Sequence, residues 1–442
     1  MSTRVRADRR PAIERWLGEY RQRTVRLLEP LTTDDLERQW DPIMSPLVWD
    51  VGHVANFEEL WLLRELTGRP AHDPALDRIY DPFDNPRSVR ADLPFLGREA
   101  AFAYLADVRA DALSVLERGG FDPDLPLVRD GYVWSMVAQH EAQHQETMLQ
   151  AMDLRGDLPP YAPARDRTLR PPRRVDDADR VTVPAGSFAL GTDDRADAYD
   201  NERPAHVVAV DEFAIDRFPA SARRFAAFVA DGGYRRPELW SSAGWAWLQE
   251  VGHEAPQGWE PDGRGGWNVR RFGHLAPLEP TEVVQHLSYW EAEAFCRFAG
   301  GRLPSEIEWE KAARWDPATG ASRVYPWGSA MPTPDLANID HRSWGPAPVG
   351  AYPDGASPCG VEQLVGDVYE WTSSDFTAYP GYATFPYPEY SEVFFGDDYK
   401  VLRGSSWATS GLVARATFRN WDYPQRRQIF SGVRVAYDAP GA

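Results

Sequence analysis

The sequence is poor in residues that staple or anchor a protein. It has two cysteines, Cys296 and Cys359, in 442 residues, which excludes a disulfide framework. Lysine occurs only at Lys311 and Lys400, so almost all cationic side chains are arginine. Cations are also outnumbered: 48 Lys and Arg stand against 67 Asp and Glu, for a formal charge of −19. That balance disfavours nucleic acid or an anionic membrane as partner. No apolar run reaches the roughly 18 residues of a membrane helix. The opening Met-Ser-Thr-Arg-Val-Arg lacks the apolar core of a signal peptide. A soluble cytoplasmic protein is expected, with a monomer favoured and the oligomeric state otherwise open. At this length two or more domains are expected.

Histidine is scarce as well, at nine residues, which gives weight to where the histidines fall. His140 and His144 frame His-Glu-Ala-Gln-His in a segment of helical apolar spacing. Residues i and i+4 share one face of a helix. His53 lies in a second such segment, with Phe57, Leu60 and Trp61 at the same spacings, and should also point inward. Three inward imidazoles on two packed helices can bind one transition metal and leave coordination positions open. Glu141 and Glu146 fall on other faces. They read as solvated or as hydrogen-bond partners of the ligands, not as ligands.

The first third reads as four helices: one through Ile13, Trp16, Leu17, Tyr20, Thr24, Leu27 and Leu28; one opening at Ser45-Pro46 as N-cap and N1 and stopping near Gly68; one over about 99–116; and one over about 132–154. Four such helices make an antiparallel bundle, here with a long connection at about 69–97. Residues 155–178 are rich in Pro, Arg and Asp and read as an irregular linker. Beyond Val181 short apolar runs alternate with glycines and aromatics. Brief helices are expected at about 221–230, 288–299 and 305–313, the last with a Ser305–Glu308 capping box. The divisions are therefore 1–156, 157–178 and 179–442.

The later half resembles the formylglycine-generating-enzyme, or sulfatase-modifying-factor, family. The resemblance is carried by five ordered segments: Val183-Pro184-Ala185-Gly186-Ser187-Phe188; Gly300 to Glu306 with Glu308-Trp309-Glu310; Val365 to Trp371; Leu402 to Trp407; and Ser431 to Arg434. It implies a C-type-lectin-like α+β fold. Asp367 departs from the common asparagine. The late cysteine pair used in formylglycine generation is absent, so that activity is not expected. The first half resembles DinB-like four-helix bundles, whose metal sites use three histidines. The expected fold class is thus a DinB-like bundle followed by a formylglycine-generating-enzyme-like domain. Together they resemble the ergothioneine-biosynthesis sulfoxide synthases.

That resemblance implies a non-haem iron(II) enzyme. It would use O2 to join γ-glutamylcysteine to C2 of the imidazole of Nα-trimethylhistidine (hercynine), giving the sulfoxide. It implies His53, His140 and His144 as iron ligands and Tyr379 as the catalytic donor of a proton or hydrogen atom. Arg87 and Arg90 can hold substrate carboxylates through charge-assisted forks, and Asp422 can pair with the ammonium of the thiol substrate. Trp421 and Tyr382 offer aromatic faces to the trimethylammonium. Gln143 can hydrogen-bond the substrate imidazole. The stretch 376–395, rich in Pro, Gly and aromatics, reads as a loop over a cleft between the domains. There is no room for a methyltransferase domain, so a separate enzyme is expected to make the trimethylated substrate.

Three alternatives stand beside this reading. A relative could use cysteine or a selenosugar as donor, although paired arginines suit the two carboxylates of γ-glutamylcysteine. A DinB-like metal-dependent thiol transferase would act without O2. A non-enzymatic binding module is the third, since lectin-like domains often only bind.

Overall fold

The computed structural model describes residues 8–119, 124–156, 161 and 173–439. Two compact units divide the chain. The first is Met1–Leu158 together with Arg195–Asp197; the second holds the remainder. No helix among the described residues is long and apolar enough to cross a membrane. The expected linker at 157–178 lies mostly outside the described residues.

The first unit is helical. Helix α1 is Arg10–Leu28, with proline in its first turn and Ile13, Leu17, Tyr20, Thr24, Leu27 and Leu28 buried. The short α2, Thr33–Glu37, carries a Thr32–Asp35 capping box. Helix α3, Leu47–Glu58, runs on through a π-helical turn, Glu59–Arg64, into α4, Glu65–Thr67, and ends at left-handed Gly68. The expected stop at Gly68 holds. The start is one residue later than expected, because Pro46 occupies the N-cap position. Ser45 does not cap the helix; its hydroxyl accepts a hydrogen bond from Arg90 at 2.6 Å.

The long connection is not a bare loop. It holds α5, Pro74–Tyr80, capped by Asp73, and a 3-10 turn, Arg87–Asp92. Helices α6, Arg98–Arg118, and α7, Tyr132–Asp153, complete the bundle. Helix α3 packs on α6 and α7, and α1 packs on α7. Gly52 lets α5 close onto α3. A Cβ at that position would lie 2.1 Å from the Tyr80 ring.

A cluster of buried charges ties the four long helices together. Arg109 of α6 donates to both oxygens of Glu58 on α3, at 2.6 and 2.9 Å, and to Glu141 on α7 at 2.8 Å. Arg21 of α1 reaches Glu58 at 2.7 Å and Glu141 at 2.9 Å. Thr24 adds a bond to Glu141 at 2.8 Å. The reading of Glu141 and Glu146 as solvated is therefore corrected: both are buried. A helix surrounded by others in a bundle has no solvent face for those positions. Burial opposes ionisation of Glu141, but the two guanidiniums and Thr24 outweigh it and draw its carboxyl down to about 2.

The second unit mixes short strands and short helices. Its strands are β1 Arg180–Val183, β2 Gly186–Leu190, β3 His206–Val210, β4 Phe213–Asp216, β5 Trp259–Pro261, β6 Trp267–Arg271, β7 His274–Pro277, β8 Tyr369–Asp375, β9 Lys400–Arg403, β10 Asn420–Asp422, β11 Ser431–Gly432 and β12 Ala436–Asp438. They form four sheets, ordered β1-β4-β12, β2-β3, β5-β6-β7 and β10-β9-β8-β11. Among the described residues only β8 and β11 pair in parallel. The expected helices are present as α8 Ala222–Ala230, α10 Tyr289–Phe298 and α11 Glu306–Arg314, each capped by the serine before it. Helix α9, Ser242–Val251, was not expected from the sequence. Its apolar residues are mostly tryptophan and alanine in a Gly-containing stretch, a weak helical pattern.

The core of this unit also contains paired charges. Glu306 accepts from Arg403 and from Arg419, both at 2.7 Å. Glu310 takes Arg403 at 2.6 Å, and Glu370 takes Arg434 at 2.7 Å. The indole N–H of Trp309 also donates to Glu370, at 2.7 Å.

Glu141→Gln should lower the stability of the first unit by about 3 kcal/mol, because it leaves two buried guanidiniums short of charge. Urea denaturation at neutral pH reads this, and a change below about 0.5 kcal/mol would show that the cluster does not hold the helices. The pH dependence has a definite sign. A carboxyl held below its ordinary 4.5 stabilises fully above that value, and the contribution is lost as pH falls toward about 2.

Candidate metal centre

His53 comes from α3, and His140 and His144 from successive turns of α7. Their ring centroids are 5.0, 4.7 and 4.5 Å apart. One ligand nitrogen from each lies within 4.8 Å of the others, and this is the one such cluster among the described residues. His53 is 7% exposed; His140 and His144 are half-buried.

Each ring is held from outside the cluster. His53 Nδ1 lies 2.8 Å from the carbonyl oxygen of Tyr80. A carbonyl only accepts, so Nδ1 carries the proton and Nε2 turns its lone pair toward the cluster. His144 Nδ1 lies 3.2 Å from Asp50 Oδ1, which fixes the same tautomer. Trp49 lies flat on His53, with centroids 5.0 Å apart and planes 9° from parallel. Phe57 lies flat on His140, at 3.7 Å and 14°. Burial pushes His53 and His140 well below the ordinary histidine range, and the charge of His144 adds to this. Neutral rings with preset lone pairs are what a transition metal requires. The donor set therefore fits a divalent first-row metal with open positions, and imidazole alone does not choose between iron and zinc.

The arginine loop lies beside this cluster. Arg90 is buried, with its guanidinium 3.7 Å from the centroid of Trp49. It donates to Ser45 at 2.6 Å and to the Asn85 carbonyl at 2.9 Å. Burial draws its guanidinium down to about 10; Arg87 acts in the same sense and Asp50 against it. Arg87 is half-buried and donates to the Ile43 carbonyl at 3.1 Å. Gln143 is half-buried on α7, between His140 and His144.

The other sequence candidates belong to the second unit. Tyr379 is 7% exposed. Its ring packs with Phe188, Leu190 and Trp315, and lies 4.2 Å from the guanidinium of Arg419. Its hydroxyl donates to Glu306 at 3.4 Å. Burial first, and Glu306 second, push that phenol far above its ordinary range. Tyr382 is half-buried and donates to Asp200 at 2.8 Å. Trp421 lies flat on Phe376, at 4.1 Å and 7°. Asp422 lies 3.7 Å from Arg426 and accepts from the Tyr423 backbone N–H. Phe395 touches both Tyr382 and Phe376, so Tyr382 and Trp421 share one aromatic cluster, whereas the Tyr379 hydroxyl is committed to the Glu306 network.

Sequence reasoning did not find Asp50, Trp49 or the Tyr80 carbonyl. Asp50 stands three residues before His53, one helical turn away, so its face could have been read. The role of Tyr80 is a backbone contact across 27 positions and leaves no trace in side-chain pattern.

A three-histidine bundle joined in one chain to an α+β unit with buried arginine pairs defines a two-domain enzyme of the DinB and sulfatase-modifying-factor type. Residues 17–148 match the DinB superfamily, and residues 166–439 match the sulfatase-modifying factor enzyme 1-like domain. The hercynine oxygenase of Mycolicibacterium thermoresistibile is 49% identical, covering 99% of this chain and 97% of its own length. That of Mycobacterium tuberculosis is 47% identical, covering 96% and 97%. The formylglycine-generating enzyme of Bos taurus is 31% identical over 45% of this chain and 58% of its own length. The chain belongs to the hercynine oxygenase family of oxidoreductases.

Replacing any one of His53, His140 or His144 with alanine should lower the affinity for iron(II) or cobalt(II) about tenfold or more. Far-ultraviolet dichroism should stay at the wild-type level. Full metal occupancy in His53→Ala would remove His53 from the centre.

Proposed function

We propose that this enzyme uses O2 and non-haem iron(II) to join γ-glutamylcysteine to C2 of the hercynine imidazole, yielding the sulfoxide in ergothioneine biosynthesis. The observation that carries this is the convergence of three imidazoles in a chain 49% identical to a hercynine oxygenase along nearly its full length. The reaction balances. The imidazole C–H and the thiol S–H are lost as a C–S bond forms, which releases two electrons, and oxidation of sulfur to sulfoxide releases two more. O2 accepts all four, giving the sulfoxide oxygen and one water.

Iron(II) held by His53, His140 and His144 would supply the redox-active centre, and a site with three neutral ligands keeps the positive charge that draws a thiolate. The protein's own groups do the rest. Arg87 and Arg90 hold the two carboxylates of γ-glutamylcysteine, and Asp422 pairs with its ammonium. Trp421 and Tyr382 face the trimethylammonium, which has no N–H to donate and is attracted to aromatic faces. Gln143 hydrogen-bonds the substrate imidazole and sets its angle. Tyr379 delivers a proton or hydrogen atom to the reacting groups.

Anaerobic incubation with iron(II), hercynine and either thiol, followed by O2 and mass analysis, tests the reading. The sulfoxide conjugate of γ-glutamylcysteine is expected, and equal use of cysteine would overturn the donor assignment. Metal without O2 uptake would favour a thiol transferase instead. Arg87→Ala should raise the apparent constant for the thiol by about tens-fold, the equivalent of ~2 kcal/mol for a charge-assisted contact, and spare hercynine.

The two tyrosines are separable by product ratio. Tyr379→Phe should keep both substrates bound but divert turnover from sulfoxide toward oxidised thiol. Tyr382→Phe should mainly weaken hercynine binding. A shifted ratio in Tyr382→Phe alone would exchange the two roles, and an unchanged ratio in both would give the donor's role to another group or to water.

A further inference from the structure

Asp50 is the most unusual charge in the first unit. It is 1% exposed and has no guanidinium or ammonium within ion-pair distance among the described residues; its one pairing is with His144. Oδ1 meets His144 Nδ1. Oδ2 is buried and has no hydrogen-bond partner among the described groups. A carboxylate removed from water and left half-satisfied is costly unless positive charge lies nearby. Arg90 is close enough for their charges to act on one another, but its N–H groups bond Ser45 and the Asn85 carbonyl. Among the described residues, the one polar group that Asp50 touches is therefore the His144 ring, 3.2 Å from Oδ1.

The neighbouring residue acts on the ligand of its own helix, α3. Trp49 lies flat on His53 and donates its indole N–H to the Ile79 carbonyl at 3.0 Å. The Arg90 guanidinium lies over the Trp49 ring, 3.7 Å from its centroid. Residues 49 and 50 therefore set two of the three imidazoles, one by stacking and one by a charged hydrogen bond.

We propose that Asp50 is a positioning residue for the metal centre: it holds His144 in one tautomer and orientation and strengthens the ring as a donor to a divalent cation. The inference rests on the reading of the three histidines as a metal site. A carboxylate behind a ligating imidazole raises the ring's basicity, and loss of such a partner typically costs about 10- to 100-fold in metal affinity. Asp50 is not a ligand here, because its oxygen faces Nδ1, on the far side of the ring from the lone pair offered to the metal.

The test uses the full chain, stripped with chelator and titrated with cobalt(II), with no substrate present. Asp50→Asn is nearly isosteric and keeps a carbonyl that can accept from Nδ1, but removes the charge. Asp50→Ala removes both. The expected order of cobalt(II) affinity is wild type, then Asp50→Asn about tenfold weaker, then Asp50→Ala weaker again. The cobalt(II) ligand-field bands should shift in Asp50→Asn, a change that a purely structural role would not produce. Asp50→Asn with wild-type affinity and bands would overturn the proposal, as would an Asp50→Ala protein that binds no worse than Asp50→Asn. If Asp50→Ala does not fold, the asparagine variant decides. Wild-type protein that binds no cobalt(II) would instead defeat the metal-centre reading itself.

Discussion

The metal centre depends on pairs of carboxylate and guanidinium packed between the helices, largely out of water. In the first unit Glu58 and Glu141 share Arg21 and Arg109, and each of the four groups comes from a different long helix. A buried charge left without its partner is strongly unfavourable, so the helices cannot slide or turn independently. Glu141 directly follows His140, and Glu58 lies five residues after His53. The cluster that registers α3 against α7 therefore also sets where the histidines meet.

Behind the histidines a second set of contacts removes the remaining freedom of each ring. A carbonyl on α5 takes one Nδ1 proton and Asp50 takes another, while Trp49 and Phe57 limit ring tilt. The connection that carries Tyr80 also carries Arg87 and Arg90. Closing that connection over α3, which Gly52 permits, brings together the backbone that orients a ligand and the arginines assigned to substrate carboxylates. Geometry at the centre and charge beside it are thus properties of one folded segment.

The second unit uses the same chemistry for a different purpose. The segments that carried the family resemblance were read separately along the chain, and in the fold they are partners. Glu306 and Glu310, from Leu-Pro-Ser-Glu and the helix after it, meet Arg403 of Leu-Arg-Gly-Ser. Glu370 of Tyr-Glu-Trp meets Arg434 of Gly-Val-Arg. With many short strands and few long helices, this unit has little regular backbone to set its interior. Bidentate ion pairs and large indoles such as Trp309, Trp371 and Trp407 supply direction that periodicity does not.

The sequence by itself determined the four long helices, three of the short ones and the three histidines that meet. Helical spacing located the four long helices, the inward histidines, α8 and α10 because a 3.6-residue period is local, and the Ser305–Glu308 capping box marked α11 for the same reason. What it could not determine was anything that depends on two distant segments meeting. The start of α3 moved by one residue because Ser45 serves Arg90, 45 positions away. Glu141 was read as solvated or as a partner of the ligands, because a helix pattern cannot say how many neighbours surround it. The commitment of the Tyr379 hydroxyl to Glu306, and the placing of Asp50 behind His144, are likewise side-chain encounters across 73 and 94 positions. Local stereochemistry writes periodicity and caps into neighbouring residues, whereas the partner of a buried polar atom is chosen only when the tertiary fold excludes water and leaves one group within reach.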